Sequence, residues 1–203
     1  MKDYLLLAEK NQERAWEVIR STRVVELWEE AGAEVNLVGS LKLSLLVKHR
    51  DNDFHIYSRN LTAKDSFAVM SELSACPHIT QITCSNLLNT PEQCIEWHAL
   101  YQDPEDGEKW QIDMIHMPKG SAYDGYFEQV ADRIARVLTD ETRDIILRLK
   151  YETPDDEKIM GIEYYQAVIA GGISTWQELV EWRKAHPVTG IVSWMPSCGE
   201  KRP

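Results

Sequence analysis

Long apolar runs are missing from this 203-residue chain: no stretch approaches the ~18 consecutive apolar residues that a membrane-spanning helix requires. Near the N-terminus the run Leu5 to Ala8 is too short for a secretory leader and reads as the first turn of a helix. A cytoplasmic protein with no membrane partner is therefore expected. Cysteine is scarce. Cys76, Cys84, Cys94 and Cys198 form no CxxC pair and have no His at zinc-finger distance. That spacing argues against a structural zinc site and a disulfide framework, and reduced, mostly buried thiols are expected. Basic residues are outnumbered 22 to 33, for a net charge of −11. Coating a polyanion requires clustered Lys and Arg, so no stable nucleic-acid partner is expected, although a local basic pocket is compatible with the total.

What the chain does contain is the ordinary material of a folded protein, 43% hydrophobic and 27% charged, enough for one generous domain or a small domain with an appendage. Residues 12 to 31 carry helical spacing (Ala15, Trp16, Ile19, Val24, Leu27, Trp28), with Gly32 placed to end the helix. Short β-like runs follow at Glu34 to Val38, Asp53 to Tyr57, Ile79 to Cys84, Cys94 to Tyr101 and Trp110 to Met117, the last two reading as a hairpin. A helical segment, Ala63 to Ala75, separates the second run from the third. After Pro118 the strands stop. Phe127, Val130, Ala131, Ile134, Val137 and Leu138 form one apolar stripe over 126–138. Thr153-Pro154-Asp155-Asp156 reads as the start of a further helix closed by Gly171-Gly172, and Ser174-Thr175-Trp176-Gln177 as the capping box of a last helix ending before Pro187. The reading is α+β: a mixed-sheet domain over 1–120 with its core at 24–118, then a helical C-terminal module over 125–203, with no repeat and no flexible linker.

The chemistry concentrates between Leu37 and His55. A hydrophobic strand runs into Gly39-Ser40, ten residues follow, and Asp51 and Asp53 then open another strand. Side chains alternate along a strand, so the two carboxylates share a face, together with His49, His55 and Tyr57 if the extended conformation continues that far. Two anions this close repel unless a proton or a cation sits between them, and Mg²⁺ prefers such oxygens together with substrate phosphates. Glycine allows a tight turn, and a serine opening a helix offers a hydroxyl and free N–H groups to a phosphate. Asp113 interrupts an otherwise apolar strand, where a charge needs a partner or a purpose.

Hydrophobic-Gly-Ser, a gap of ten, Asp-x-Asp and a later hydrophobic-Asp-hydrophobic strand resemble the signature of the nucleotidyltransferase superfamily with the DNA polymerase β-type fold. In size and layout the chain is similar to small bacterial enzymes that transfer a nucleotide to an antibiotic or another small hydroxyl compound. The motifs cover about 80 of the 203 residues. The resemblance implies a mixed sheet flanked by helices, with Ser40 and the amides around Gly39 holding the phosphates of an NTP, ATP in the first instance. It implies Mg²⁺ or Mn²⁺ on Asp51 and Asp53, with Asp113 completing the metal site or acting as general base. The expected reaction is transfer of an NMP to a small-molecule hydroxyl with release of pyrophosphate. Asn52 departs from the pattern, which usually has a hydrophobic residue there; its side chain would face the sheet's other side.

Lys42, Lys48 and Arg50 form a basic cluster beside the motif, suited to a triphosphate or to a solvated helix face. His55, His98 and His116 are candidates for the acceptor side, each with an ordinary structural role as the competing reading. Tyr164, Tyr165, Trp176 and Trp182 would wall an acceptor pocket or belong to a core or a dimer seam. Lys119 to Gly125 reads as a mobile cover or a plain strand-to-helix connection. Two other functions compete. One is a catalytically silent binding or regulatory module, open to homodimerisation. The other treats His49, Asp51, Asp53 and His55 as ligands of a hydrolytic metal in a phosphoesterase.

Overall fold

The computed structural model describes residues 2–188 and 192–197. The expectations for Cys198 and for the end of the helical module lie outside the described residues. The chain opens with α1 (Asp3–Thr22) and α2 (Val24–Glu30). What the spacing presents as one helix is two, because Arg23 takes a left-handed conformation (φ 53°) and its amide turns back to Arg20 O. Then come β1 (Glu34–Leu37), α3 (Gly39–Lys42), β2 (Asp51–Ser58), α4 (Ala63–Leu73), β3 (Ile79–Asn86), β4 (Ile95–Gln102) and β5 (Lys109–Pro118). The helical part is α5 (Tyr126–Val137), α6 (Asp140–Glu152), α7 (Gly161–Ile169) and α8 (Trp176–Ala185).

The five strands form one mixed sheet in the order β1-β2-β5-β4-β3. Only β2 and β5 pair in parallel; the other three pairings are antiparallel, including the expected β4–β5 hairpin. Alternation sorts the two faces. Phe54, Ile56, Trp97, Ala99, Trp110, Ile112 and Met114 are buried on the back face and pack with Ala15, Val18 and Ile19 of α1, Trp28 of α2 and Val69 and Met70 of α4. A second core joins α5 to α8 with Leu43, Leu45 and Val47. Tyr4 and Ala8 of α1 belong to this second core, so α1 runs across both. Asn11 donates to Val47 O (2.6 Å) between the two ends.

Two local readings change. Thr153 does not open a helix: it follows α6, and its hydroxyl donates to Leu149 O (2.8 Å) and meets Tyr164 OH (2.7 Å), while 154–160 form a turn. The last helix is capped one residue later than the spacing suggests, by Thr175 with Glu178. Among the three described cysteines, all free, Cys94 is buried, Cys76 half-buried and Cys84 exposed on edge strand β3, so the thiols are less buried than expected. No helix among the described residues is long and apolar enough to cross a membrane.

Candidate functional site

A cleft of about 770 Å³ lies between the uncovered face of the sheet and the helical module. Its floor begins at Gly39, whose φ of +68° belongs to the left-handed region that glycine tolerates. A Cβ there would lie 1.9 Å from Asp53 Oδ2, so the absence of a side chain is what lets the carboxylate rest against the turn. Val38 N donates to Asp53 O (2.9 Å) and fixes the two segments together. Ser40 follows as the second residue of α3 and lines the cleft.

The parallel register places Asp53 beside Asp113 and Asp51 beside Gln111. Asp53 carries the largest electrostatic strain. Burial, then the neighbouring charges of Asp51 and Asp113, push its carboxyl up to about 8, against the opposing pull of the Lys150 ammonium. Asp51 Oδ1 is buried without a hydrogen-bond partner. Asp113 is engaged differently: Oδ1 receives Gln111 Nε2 (2.8 Å) and meets His98 Nδ1 (2.5 Å), and Gln111 also reaches Oδ2 (3.0 Å).

These features test whether a metal fits. An orphaned buried oxygen and a carboxyl driven toward its protonated form fit a site that a cation would neutralise, and hard carboxylate oxygens suit Mg²⁺. Among the described residues, however, no group of three or more His, Cys, Asp or Glu side chains stands ready as a metal cage. The arrangement fits a cation held by Asp51 and Asp53 and completed by substrate oxygens, with Asp113 turned aside to His98 and Gln111.

Opposite the carboxylates, α6 delivers Lys150, a buried lysine that the sequence reading missed. Its ammonium donates to Ser40 Oγ (2.7 Å), Leu45 O (3.0 Å) and Tyr165 OH (3.2 Å) and lies over the Tyr165 ring at 5.2 Å. Tyr165 OH in turn meets Ser40 Oγ at 3.2 Å. The signal was present as a lysine within the apolar stripe Ile146, Leu147, Leu149, but no helix had been read over 140–152.

The remaining candidates divide. Lys48 and Arg50 line the cleft, held by Asp155 (2.7 Å) and Glu108 (3.1 Å) respectively, whereas Lys42 is exposed outside it. His55 also lines the cleft, edge-on to Phe127 with Nδ1 buried, without a hydrogen bond and 3.7 Å from Glu128 Oε1, and burial lowers its pKa to about 4. His116 is three residues from Asp113 and so lies on the back face, bonded to Ser66 Oγ (3.0 Å) and Ser58 Oγ (2.9 Å). Tyr164 and Tyr165 line the cleft; Trp176 lines a separate groove beside α8. His49, Asp51, Asp53 and His55 all line the cleft, but among the described residues no three such side chains gather closely enough to hold a metal, so the four-ligand phosphoesterase site does not form.

Neither a protein-family model nor a curated protein matches the sequence. Solved structures do. One of Cid1, described for its RNA terminal uridylyl transferase activity, matches with a TM-score of 0.55 at 14% identity, covering 78% of this chain and 46% of that chain. A Cid1 poly(U) polymerase structure with MgGTP bound gives 0.56 at 14% identity over 78% and 49%. Another, with magnesium and 3′-dATP, gives 0.53 at 15% over 78% and 48%. The chain spans about half the length of these relatives. The likeness is one of fold, shared with these Cid1 structures.

Two expectations are overturned. Transfer to a small-molecule hydroxyl with no nucleic-acid partner is not what the matching structures are named for: the names give an RNA terminal uridylyl transferase activity and a poly(U) polymerase. Net charge sums the whole surface and does not describe the cleft. The cleft itself is lined by five cationic residues, Lys48, Arg50, Lys109, Lys150 and Lys158, against two carboxylates, Asp51 and Asp53.

Proposed function

We propose that this chain transfers a nucleotide from an NTP to the 3′-hydroxyl of an RNA. The observation that carries the reading is the in-register pair Asp53–Asp113, with Asp53 in the cleft that Ser40 and Lys150 also line, in a fold shared with RNA terminal transferases. Ser40 and Lys150 bind the β- and γ-phosphates: the hydroxyl and ammonium now satisfy one another, and an anion would receive both. Tyr165 stands beside them to orient the nucleotide. When bound, Mg²⁺ on Asp51 and Asp53 supplies charge neutralisation for the departing pyrophosphate.

Asp113 accepts the proton of the acceptor hydroxyl. The freed oxygen pair forms a bond to the α-phosphorus, and the bond from that phosphorus to the β-phosphate bridging oxygen breaks, releasing pyrophosphate. The full chain is assayed with a labelled RNA oligonucleotide, Mg²⁺ and each NTP separately. Extension by the wild type, lost by at least a hundredfold in Asp113→Asn, is the expected result, an effect in the range for loss of a general base. Full activity in that variant, or no extension with any NTP, refutes the reading.

A further inference from the structure

The strand pairings draw a single line of side chains across the sheet. Asp53 on β2 pairs with Asp113 on β5, Asp113 pairs with His98 on β4, and His98 pairs with Thr83 on β3. Paired residues point to the same face, and neighbouring strands lie about 4.8 Å apart, so the line steps outward from the metal carboxylate in even increments. Exposure rises along its outer part. Asp53 is half-buried, the Asp113 side chain is 20% exposed, that of His98 is 40% exposed, and Thr83 is open to solvent. Neither Asp113 nor His98 lines the cleft; both stand on the shelf at its edge, on the side away from Ser40. A substrate arriving along this shelf meets His98 immediately before it meets Asp113.

The hydrogen bonding fixes what His98 offers. An ionised carboxylate only accepts, so the 2.5 Å contact is an Nδ1–H donated to Asp113 Oδ1. In the neutral ring that leaves Nε2 as an acceptor lone pair on the outer side, away from Asp113. The two groups are locked to each other, and Gln111 holds the carboxylate from the second side. Together they present two adjacent acceptors, one carboxylate oxygen and one imidazole nitrogen, to whatever reaches the shelf.

Two adjacent acceptors match two adjacent hydroxyl donors. We propose that His98 recognises the 2′-hydroxyl of the acceptor's terminal ribose through Nε2 while Asp113 takes the 3′-hydroxyl, making His98 the residue that selects a cis-diol end over a deoxy end. This inference rests on the proposed transfer to RNA and goes beyond it by assigning the discrimination to one side chain. A nitrogen built to accept a hydroxyl proton rejects the analogue that lacks one, because it is then desolvated without a partner.

The test compares extension of one oligonucleotide carrying different 3′-terminal sugars, each retaining its 3′-hydroxyl. For the wild type, kcat/KM is expected to fall roughly tenfold or more from 2′-hydroxyl to 2′-deoxy, the scale of one buried hydrogen bond left unmade. A 2′-fluoro end, which cannot donate, should behave like 2′-deoxy, whereas a 2′-amino end, which can, should keep most of the activity. His98→Ala should bring the hydroxyl-to-deoxy ratio close to one. A merely structural role for His98 would lower all four substrates together and leave that ratio intact, which would overturn the proposal. So would a wild type indifferent to the 2′ group, or one that accepts 2′-fluoro as well as hydroxyl. The sugar series uses unmodified protein and so decides the matter even where His98→Ala folds poorly. Failure of the wild type to extend any of these ends refutes RNA transfer itself, and this inference with it.

Discussion

Replacing Asp53 by asparagine should make the metal-free protein more stable while removing its chemistry. In the unfolded chain this carboxyl has its ordinary pKa near 3.8, and in the fold burial and two neighbouring carboxylates raise it to about 8. Below pH 3.8 both states hold the proton and the fold bears no penalty. As the pH rises from there through 8 the unfolded chain gives up the proton first, so stability falls. The slope is about 1.4 kcal/mol per pH unit, which gives a ceiling of about 4 kcal/mol at pH 7. Asparagine has nearly the same shape and no charge, so the variant should be about 2–4 kcal/mol more stable than the wild type at pH 7 and nearly equal to it at pH 4. Urea unfolding in EDTA across pH 4 to 8 reads the difference directly. Mg²⁺ with a non-hydrolysable NTP should then stabilise the wild type and leave Asp53→Asn almost unmoved. An Asp53→Asn protein no more stable than wild type at pH 7 without metal would refute the electrostatic account of the site.

Three other substitutions probe the same architecture. Gly39→Ala forces an L residue to φ +68°, costing about 1–2 kcal/mol, and drives a methyl into Asp53, so both the unfolding midpoint and the Mg²⁺-dependent stabilisation should drop; unchanged metal response would contradict the close approach. Lys150→Met removes the ammonium from Ser40 and should weaken NTP binding roughly tenfold to a hundredfold, as charge-assisted hydrogen bonds are lost; titration with a fluorescent NTP measures it, and wild-type affinity would exclude Lys150 from the phosphate site. Burial lowers His116 to about 4, so below pH 6.5 the unfolded chain takes up a proton that the fold refuses, and stability falls by about 3 kcal/mol as the pH approaches 4. His116→Gln should flatten that acid slope in urea melts between pH 7 and 4.5, and an unaltered slope would assign the acid sensitivity elsewhere.

The sheet was legible because half-buried strands alternate: β4 does so throughout, and β2 and β5 do so up to Tyr57 and Met117. The same parity located Asp51 and Asp53 on one face and Asn52 on the other, where it is fully buried with both side-chain polar atoms unpartnered. Parity also assigns His116 to the back, a consequence that proximity to Asp113 in the sequence obscured. What could not be read was tertiary. Lys150 belongs to the site only because α6 brings its ammonium to Ser40 and to Leu45 O, and nothing local to residue 150 specifies that approach. Thr153-Pro154-Asp155-Asp156 carries every mark of a helix start, yet the Thr153 hydroxyl satisfies a carbonyl behind it and a tyrosine ahead, so a long-range bond overrides the local preference. The basic lining of the cleft was hidden for a related reason: total charge has no address, and the five cations that line the cleft come from four separate stretches of chain.

Helix α1, shared between the two cores, works as a splint. It is a continuous rod of 20 residues, about 30 Å long, with one end sewn into the helical module through Tyr4 and Ala8 and the other into the sheet's back through Ala15, Val18 and Ile19. Hinging the module away from the sheet would require that rod to snap or to strip Asn11 from Val47 O. The width of the cleft is thus set when the protein folds, like a fixed gauge, and adjustment to a ligand falls to side chains such as Lys150 and to the connection at 154–160. Under the proposed transfer to RNA, a long polymer need not wait for a jaw to open: it can lie along the uncovered strands and bring only its last sugar to the gauge.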